Sequence, residues 1–421
     1  MSIFPASSTS KSSNLRKLVP CLSMNPFWPR IFYFLSLSLL GFGVLKALKP
    51  RTDSFKPRNL DLFFTSVSAI TVSSMSTVEM EVFSDSQLVV ITILMFLGGE
   101  VFTSMAALFL RNLKPKLRRF GGKVGNHSLD GGIDAGIPIT NTKPETLREE
   151  DQSIKFLSFV VLGYLVAVNL IGVAVVSLYL AFVSSAGSIL KNKGLKLLTF
   201  SVFTVVSSFT NCGFVPTNEN MVVFRKNPGL LLMIIPQILL GNTLFPPCLR
   251  FSIWVLGKLV KKVGGNSDYL LKNTGEIGYP HLLPSRRSFC LVATVLGFLV
   301  APVVLFLAME WNSESLNGMN SFEKIVGVLF QSVNARHAGE TIVDISTVSA
   351  AILVLATVCI AYGNVGFTMG YSCKRRLMGG ANCDDKWYGF VGWWSDAGKA
   401  ILIAVMFFGR LKNFNMTWSF P

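Results

Sequence analysis

Long apolar blocks, continuous instead of alternating, set the pattern of this 421-residue chain. They cover residues 32–48, 87–110, 156–183, 230–256 and 289–308, and a shorter one covers 397–408. A helix needs about 20 apolar residues to cross the hydrocarbon of a bilayer, and most of these blocks approach or exceed that length. The pattern predicts an all-α polytopic membrane protein.

Between the spans lie shorter segments rich in Ser, Thr, Val and Phe, at residues 62–75, 197–214, 324–340 and 361–367. They are too short and too polar to cross lipid as helices. Non-helical backbone at membrane depth is tolerated where protein or a water-filled cavity surrounds it, so re-entrant loops are expected here. Aligned, the segments read FFTSVSAITVSSM, TFSVFTVVSSFTNCGFVPTNEN, LFQSVNARHAGETIVD and YGNVGFTMGYSC. The second and fourth share N-x-G-F, and the first and third share S-V-x-A, which marks an internal repeat of span, pore loop and span. The resulting division is an N-terminal tail at 1–27, a first pore unit at 28–110, a linker at 111–153 and a second pore unit at 154–257. A second linker at 258–286, a third unit at 287–360 and a fourth at 361–421 complete it.

A cation that leaves water needs its hydration shell replaced by oxygens, which convergent loop carbonyls can supply. Glycine lets consecutive carbonyls face one axis without crowding the lumen. Gly213, Gly339 and Gly366 end three of the loops, and the register of the first loop puts Ser74 in their place. These four residues are the candidate filter for a monovalent cation, flanked by Val72, Ser73, Asn211, Cys212, His337, Ala338, Asn364 and Val365. Acids follow each of the first three loops: Glu79 and Glu81, Glu219, then Glu340 and Asp344. They are read as an outer mouth that concentrates cations, with helix N-terminal acids as the plainer alternative. Glu100 interrupts the second span and is a candidate functional acid or a buried hydrogen-bond partner beside Gly98-Gly99. Arg410 ends the last span, either snorkelling to the interface or projecting below the pore as an inner-mouth cation.

Composition narrows the class further. The chain is 51% hydrophobic and 15% charged, where a soluble protein carries about a quarter charged residues. The net charge of +16 does not imply nucleic acid, because Lys and Arg sit in the tails and linkers, where they act as topology signals. Their excess in the first 30 residues places the N-terminus in the cytoplasm. Seven scattered cysteines, without CxxC or histidine pairing, indicate neither a structural metal site nor a cofactor. Cys373 and Cys383 flank a short polar loop where a disulfide is one option. Three histidines and the lack of a nucleophile–base pair or phosphate loop argue against an enzyme, and His337 is expected to pack behind the third filter strand.

Several stretches then carry a family resemblance: TSVSAITVSSMSTVEMEVFS, MFLGGEVFTS, NCGFVPTNENMVVFRKN, LGNTLFPPC, GETIVD and AYGNVGFTMGYSC. From about residue 28 onward the chain resembles the plant high-affinity potassium transporter (HKT) family, of the superfamily that includes the Trk and Ktr systems. The resemblance implies four membrane–pore–membrane units in pseudo-fourfold array. It also implies that serine at the first filter position goes with sodium uniport and glycine with sodium–potassium transport. Ser74 therefore implies a sodium-preferring transporter of the plasma membrane, of the kind that withdraws sodium from xylem sap and supports salt tolerance. Its partners would be the lipid bilayer and the transported Na+, with K+ or joint sodium–potassium transport as the alternative.

One spacing departs from the family. Ser74 and Gly213 are 139 residues apart and Gly213 and Gly339 are 126, but Gly339 and Gly366 are only 27 apart. That interval cannot hold an outgoing span, a linker, an incoming span and a pore helix. The expectation is a deleted boundary between the third and fourth units, which leaves a truncated third outgoing span and a remnant fourth unit. It raises the further alternative of a non-conducting isoform that pairs with and regulates full-length subunits; a homodimer is a separate option for the chain.

Overall fold

The computed structural model describes residues 27–51, 56–122, 144–343, 348–349, 352 and 390–416. Regular structure among them is wholly helical. The first unit contains α1 (Phe27–Ala47), α2 (Asn59–Thr71), α3 (Asp85–Gly98) and α4 (Glu100–Gly122). The second contains α5 (Pro144–Phe182), α6 (Ser184–Asn192), α7 (Leu197–Thr210), α8 (Pro228–Leu240) and α9 (Phe245–Leu259). Two short helices, α10 (Gly264–Lys272) and α11 (Thr274–Ile277), lead to α12 (Ser285–Glu310) and α13 (Ser321–Arg336) of the third unit, and α14 (Asp396–Met416) is last.

Helices α1, α5 and α12 are each long and apolar enough to cross a membrane. Their outward faces stay uncovered, with Leu170, Ile171 and Phe182 on α5 and Phe289, Leu296 and Val300 on α12 all exposed. Lipid is the solvent that fits such surfaces.

Two of the expected spans are not single helices. The block at 87–110 bends by 57° at Gly99, and the block at 230–256 bends by 83° across Gly241–Leu244. An apolar run signals depth in the membrane but carries no sign of a break, which is why hydropathy alone merged each pair. Side chains satisfy the carbonyls orphaned at the breaks. Tyr33 on α1 donates to the Leu97 carbonyl at 2.9 Å, and Arg410 on α14 donates to that of Gly98. In the second unit Tyr164 on α5 donates to the Leu240 carbonyl at 2.8 Å. The two tyrosines thus serve the same purpose in successive units.

Helices α2, α7 and α13 are buried although rich in Ser and Thr. Several of their hydroxyls donate to carbonyls one turn back, as Thr71 does to Val67, Thr210 to Val206 and Ser332 to Val328, while Ser66 reaches across to the Ser38 carbonyl of α1 at 2.7 Å. Local signals fix several helix starts. Ser84 with Gln87 and Asn320 with Glu323 form capping boxes, and Pro228 and Pro246 open α8 and α9.

The units are arranged cyclically. Helix α3 of the first unit packs on α7 of the second, and α8 of the second packs on α13 of the third. In the same sense α14 packs on α2, which closes the ring back on the first unit. The linker expected at 258–286 is ordered, with α10 packed on α5 and α9.

Candidate ion pathway and selectivity filter

The three short buried helices end where the sequence places the filter. Helices α2 and α7 terminate alike, on left-handed Val72 (φ 56°) and Asn211 (φ 58°). In each the next residue, Ser73 or Cys212, donates its N–H to the carbonyl five residues back. Helix α13 departs from this pattern: His337 is not left-handed, and it is Gly339 that donates to the Asn334 carbonyl.

Ser74, Gly213 and Gly339 all have positive φ, at 58°, 74° and 86°. For the glycines this conformation is free, whereas for Ser74 it costs roughly 1–2 kcal/mol. The Ser74 hydroxyl faces the carbonyls of Cys212 and Ala338, the latter at 3.0 Å, and its single proton can be donated to either one of them. Those are the residues just before Gly213 and Gly339, so the hydroxyl lies among the carbonyls that precede the two candidate glycines. The loops meet closely: a Cβ on Gly213 would stand 2.8 Å from both the Ala338 carbonyl carbon and the Ser74 Oγ. The fourth corner (Asn364, Val365 and Gly366), together with Asp344, Cys373 and Cys383, falls outside the described residues.

Outside the ring, Ser74, Gly213 and Thr341 share one open vestibule with Glu79 and Glu219. Glu81 stands beside it, and its side chain accepts from the Asn218 N–H at 3.1 Å. Asn218 also donates to Glu79 at 3.2 Å and accepts from the Glu81 N–H at 3.1 Å. Asn220 accepts from the Thr341 N–H at 3.2 Å, so the loops after all three filter positions are joined by hydrogen bonds.

Glu340 does not line this mouth. It is fully buried behind the ring, where Ser208 on α7 donates to one carboxylate oxygen at 2.6 Å. Position after a filter glycine resembled that of the other acids, but the backbone turns the side chain inward, and Asn334 holds the Glu340 N–H at 3.1 Å. His337 also lies behind the ring. Its Nδ1 faces the Val333 carbonyl at 2.8 Å, which requires a proton there, so Nε2 accepts from Thr243 in the break between α8 and α9 at 2.9 Å.

On the inner side, Glu100 opens α4 at the first break and faces His281 Nε2 at 3.7 Å. His281 belongs to the ordered linker, whose Tyr279 hydroxyl meets that of Ser104 at 3.0 Å. Arg410 is held at the same break, so it neither snorkels away nor hangs free below the ring. Lys399, one of several residues the hydropathy pattern passed over, is 1% exposed and pairs with Asp61 at 2.7 Å, near the start of α2. A lysine early in a weakly apolar span gave no reason to look for a buried partner far back in the sequence.

Comparison with known proteins decides the family. The model of the TrkH family, described as cation transport protein, matches residues 31–370. This chain belongs to that family. The TrkH-family chain is 45% identical to the cation transporter HKT1;3 of Oryza sativa subsp. japonica, in an alignment covering 93% of this chain and 90% of that protein. It is 44% identical to the sodium transporter HKT1 of Arabidopsis thaliana, covering 88% and 89% respectively. Among solved structures it is similar to the potassium transporter TrkH of Vibrio parahaemolyticus, with a TM-score of 0.51 at 14% identity, over 93% of this chain and 84% of that one. That likeness concerns the fold. The protein is thus a membrane cation transporter of the HKT/TrkH family.

Proposed function

We propose that this chain is a sodium-selective uniporter of the plasma membrane, with Ser74, Gly213, Gly339 and Gly366 forming the filter. The observation that carries the reading is the Ser74 hydroxyl set against the Cys212 and Ala338 carbonyls. It fills space that glycine would leave open between two carbonyl-bearing loops. A narrower ring favours the smaller ion, and its remaining oxygens replace the hydration shell of sodium better than that of potassium. The name of the Arabidopsis relative, a sodium transporter, agrees with this.

The short interval before Gly366 belongs to the same reading. The alignment with the rice transporter runs over 488 positions, longer than this chain, so it leaves gaps on this side. A deletion at the boundary of the third and fourth units accounts for them. Helix α14 nevertheless takes the place of a fourth inner helix against α2, which supports a closed ring.

The test is two-electrode recording of the chain and its Ser74→Gly variant across sodium and potassium gradients. Each tenfold gain in relative potassium permeability moves the reversal potential by about 59 mV, and the variant is expected to gain at least that much. Identical reversal potentials would refute the sodium assignment. A chain that carries no current by itself, yet alters the current of a co-expressed longer relative, would instead support the paired, non-conducting isoform.

A further inference from the structure

A lysine stands at the edge of the vestibule, paired with Glu219 of its lining. Lys193, in the turn after α6, places its ammonium 2.8 Å from a Glu81 oxygen and 2.7 and 2.6 Å from the two Glu219 oxygens. Glu81 belongs to the first unit and Glu219 to the second, so the ammonium bridges two post-filter loops. The arrangement is built, not incidental. Arg51 donates to the Lys193 carbonyl at 3.2 Å, Gly194 turns the chain with φ 63°, and Asn218 holds the Glu81 carboxylate from the other side. All three charged side chains are about three-quarters covered. Burial alone would lower the Lys193 pKa, but the hydrogen bonds it donates to Glu219 and Glu81, with their charges, outweigh it and the pKa is raised. Lys193 therefore keeps its proton at any physiological pH.

We propose that Lys193 is a tethered counterion that determines specificity at the outer mouth, occupying the position a divalent cation would otherwise take between Glu81 and Glu219. Two carboxylates held a few ångströms apart on separate loops are the donors a hard divalent ion requires. A bound divalent ion beside the ring would repel sodium and obstruct its entry. The ammonium satisfies both acids with one fixed charge, and it leaves a net negative vestibule, with Glu79, that attracts monovalent ions. Only the current readout below rests on the transport reading.

The experiment measures radioactive calcium binding to the purified full chain in detergent. Lys193→Met is expected to acquire a calcium site that the parent and Lys193→Arg lack, and adding Glu81→Gln and Glu219→Gln to Lys193→Met is expected to abolish it. In oocytes, external calcium is expected to halve the sodium current of Lys193→Met at a concentration about tenfold or more below that needed for the parent. Should Lys193→Met aggregate, Lys193→Cys serves in its place. Aminoethyl methanethiosulfonate restores the ammonium and must remove calcium binding, whereas the methyl reagent must preserve it, with the treated parent as control. Calcium binding equal in parent and variant, or binding that survives loss of both glutamates, overturns the proposal. A parent without sodium current refutes the transport reading alone, since the binding arm still decides the role of Lys193.

Discussion

Gly98→Ala is the sharpest available perturbation of the coupling between an inner helix and the filter. Gly98 closes α3 against the last turn of α2. A methyl built there would stand 2.7 Å from the Ile70 carbonyl carbon and 3.0 Å from its Cα. Ordinary van der Waals contact begins near 3.4 Å, and both obstructing atoms are backbone, so no rotamer change relieves the clash. Helix α2 must withdraw by about 1 Å, and overpacking of this sort costs roughly 1–3 kcal/mol, toward the upper end here because Ile70 is fully buried. Ser74 lies four residues beyond Ile70, so the displacement reaches the ring. The second unit repeats the contact: a methyl on Gly241 would stand 2.7 Å from the Phe209 carbonyl carbon. The assay pairs thermal unfolding of the detergent-solubilised protein with sodium current normalised to surface abundance. Both Gly98→Ala and Gly241→Ala are expected to lower the melting temperature by several degrees and to cut normalised current by about tenfold or more. Gly43 and Gly163 have open space around them and serve as controls, where alanine is expected to be neutral or mildly stabilising. If Gly98→Ala behaves as Gly43→Ala does, the seat does not position the filter and the reasoning is wrong.

Two further outcomes follow from the charged groups. Lys399→Met leaves Asp61 buried with Arg58 at 3.4 Å, a partner mostly in solvent, and should destabilise by about 3 kcal/mol, the lower end for a broken buried pair; Asp61→Asn/Lys399→Met should recover most of this, and a double variant no more stable than the single would contradict it. Burial holds the His281 pKa below its usual value while Glu100 pulls the other way. The unfolded chain then binds more protons than the folded one around that value, so stability rises with pH and is lost on acidification below about 6.5. His281→Asn should flatten the melting temperature between about pH 5 and 7, and an unchanged slope would exclude His281 as its source.

Membrane embedding and the meeting of the loop ends at Ser74, Gly213 and Ala338–Gly339 were legible in the sequence because each leaves a periodic or compositional mark. Apolar runs report depth, and small residues recurring after semi-polar segments report loop ends. The helix breaks left no such mark, since Gly98-Gly99 and Gly241 look like packing glycines until a pore-helix carbonyl is seen against them. Glu340 was misplaced because its neighbours in the repeat face outward, and its side-chain direction depends on how α13 ends at His337. Lys193, Tyr33 and Tyr164 were missed for a common reason: each acts on a partner from a distant part of the chain, and residue identity alone does not reveal such pairings.

The Asp61–Lys399 pair also bears on how the protein is made. The two residues lie 338 positions apart, and a ribosome adding about 5–20 residues per second needs on the order of half a minute to travel between them. Throughout that time the first re-entrant segment sits in the translocon or the bilayer with a carboxylate whose permanent partner has not been synthesised, and the nearby Arg58 is its interim companion. The first quarter of the molecule can insert early, but it cannot reach its final state until the last helix arrives. Final packing of the first re-entrant segment is therefore coupled to synthesis of α14, and a nascent chain arrested before it leaves Asp61 with only the exposed Arg58 as partner.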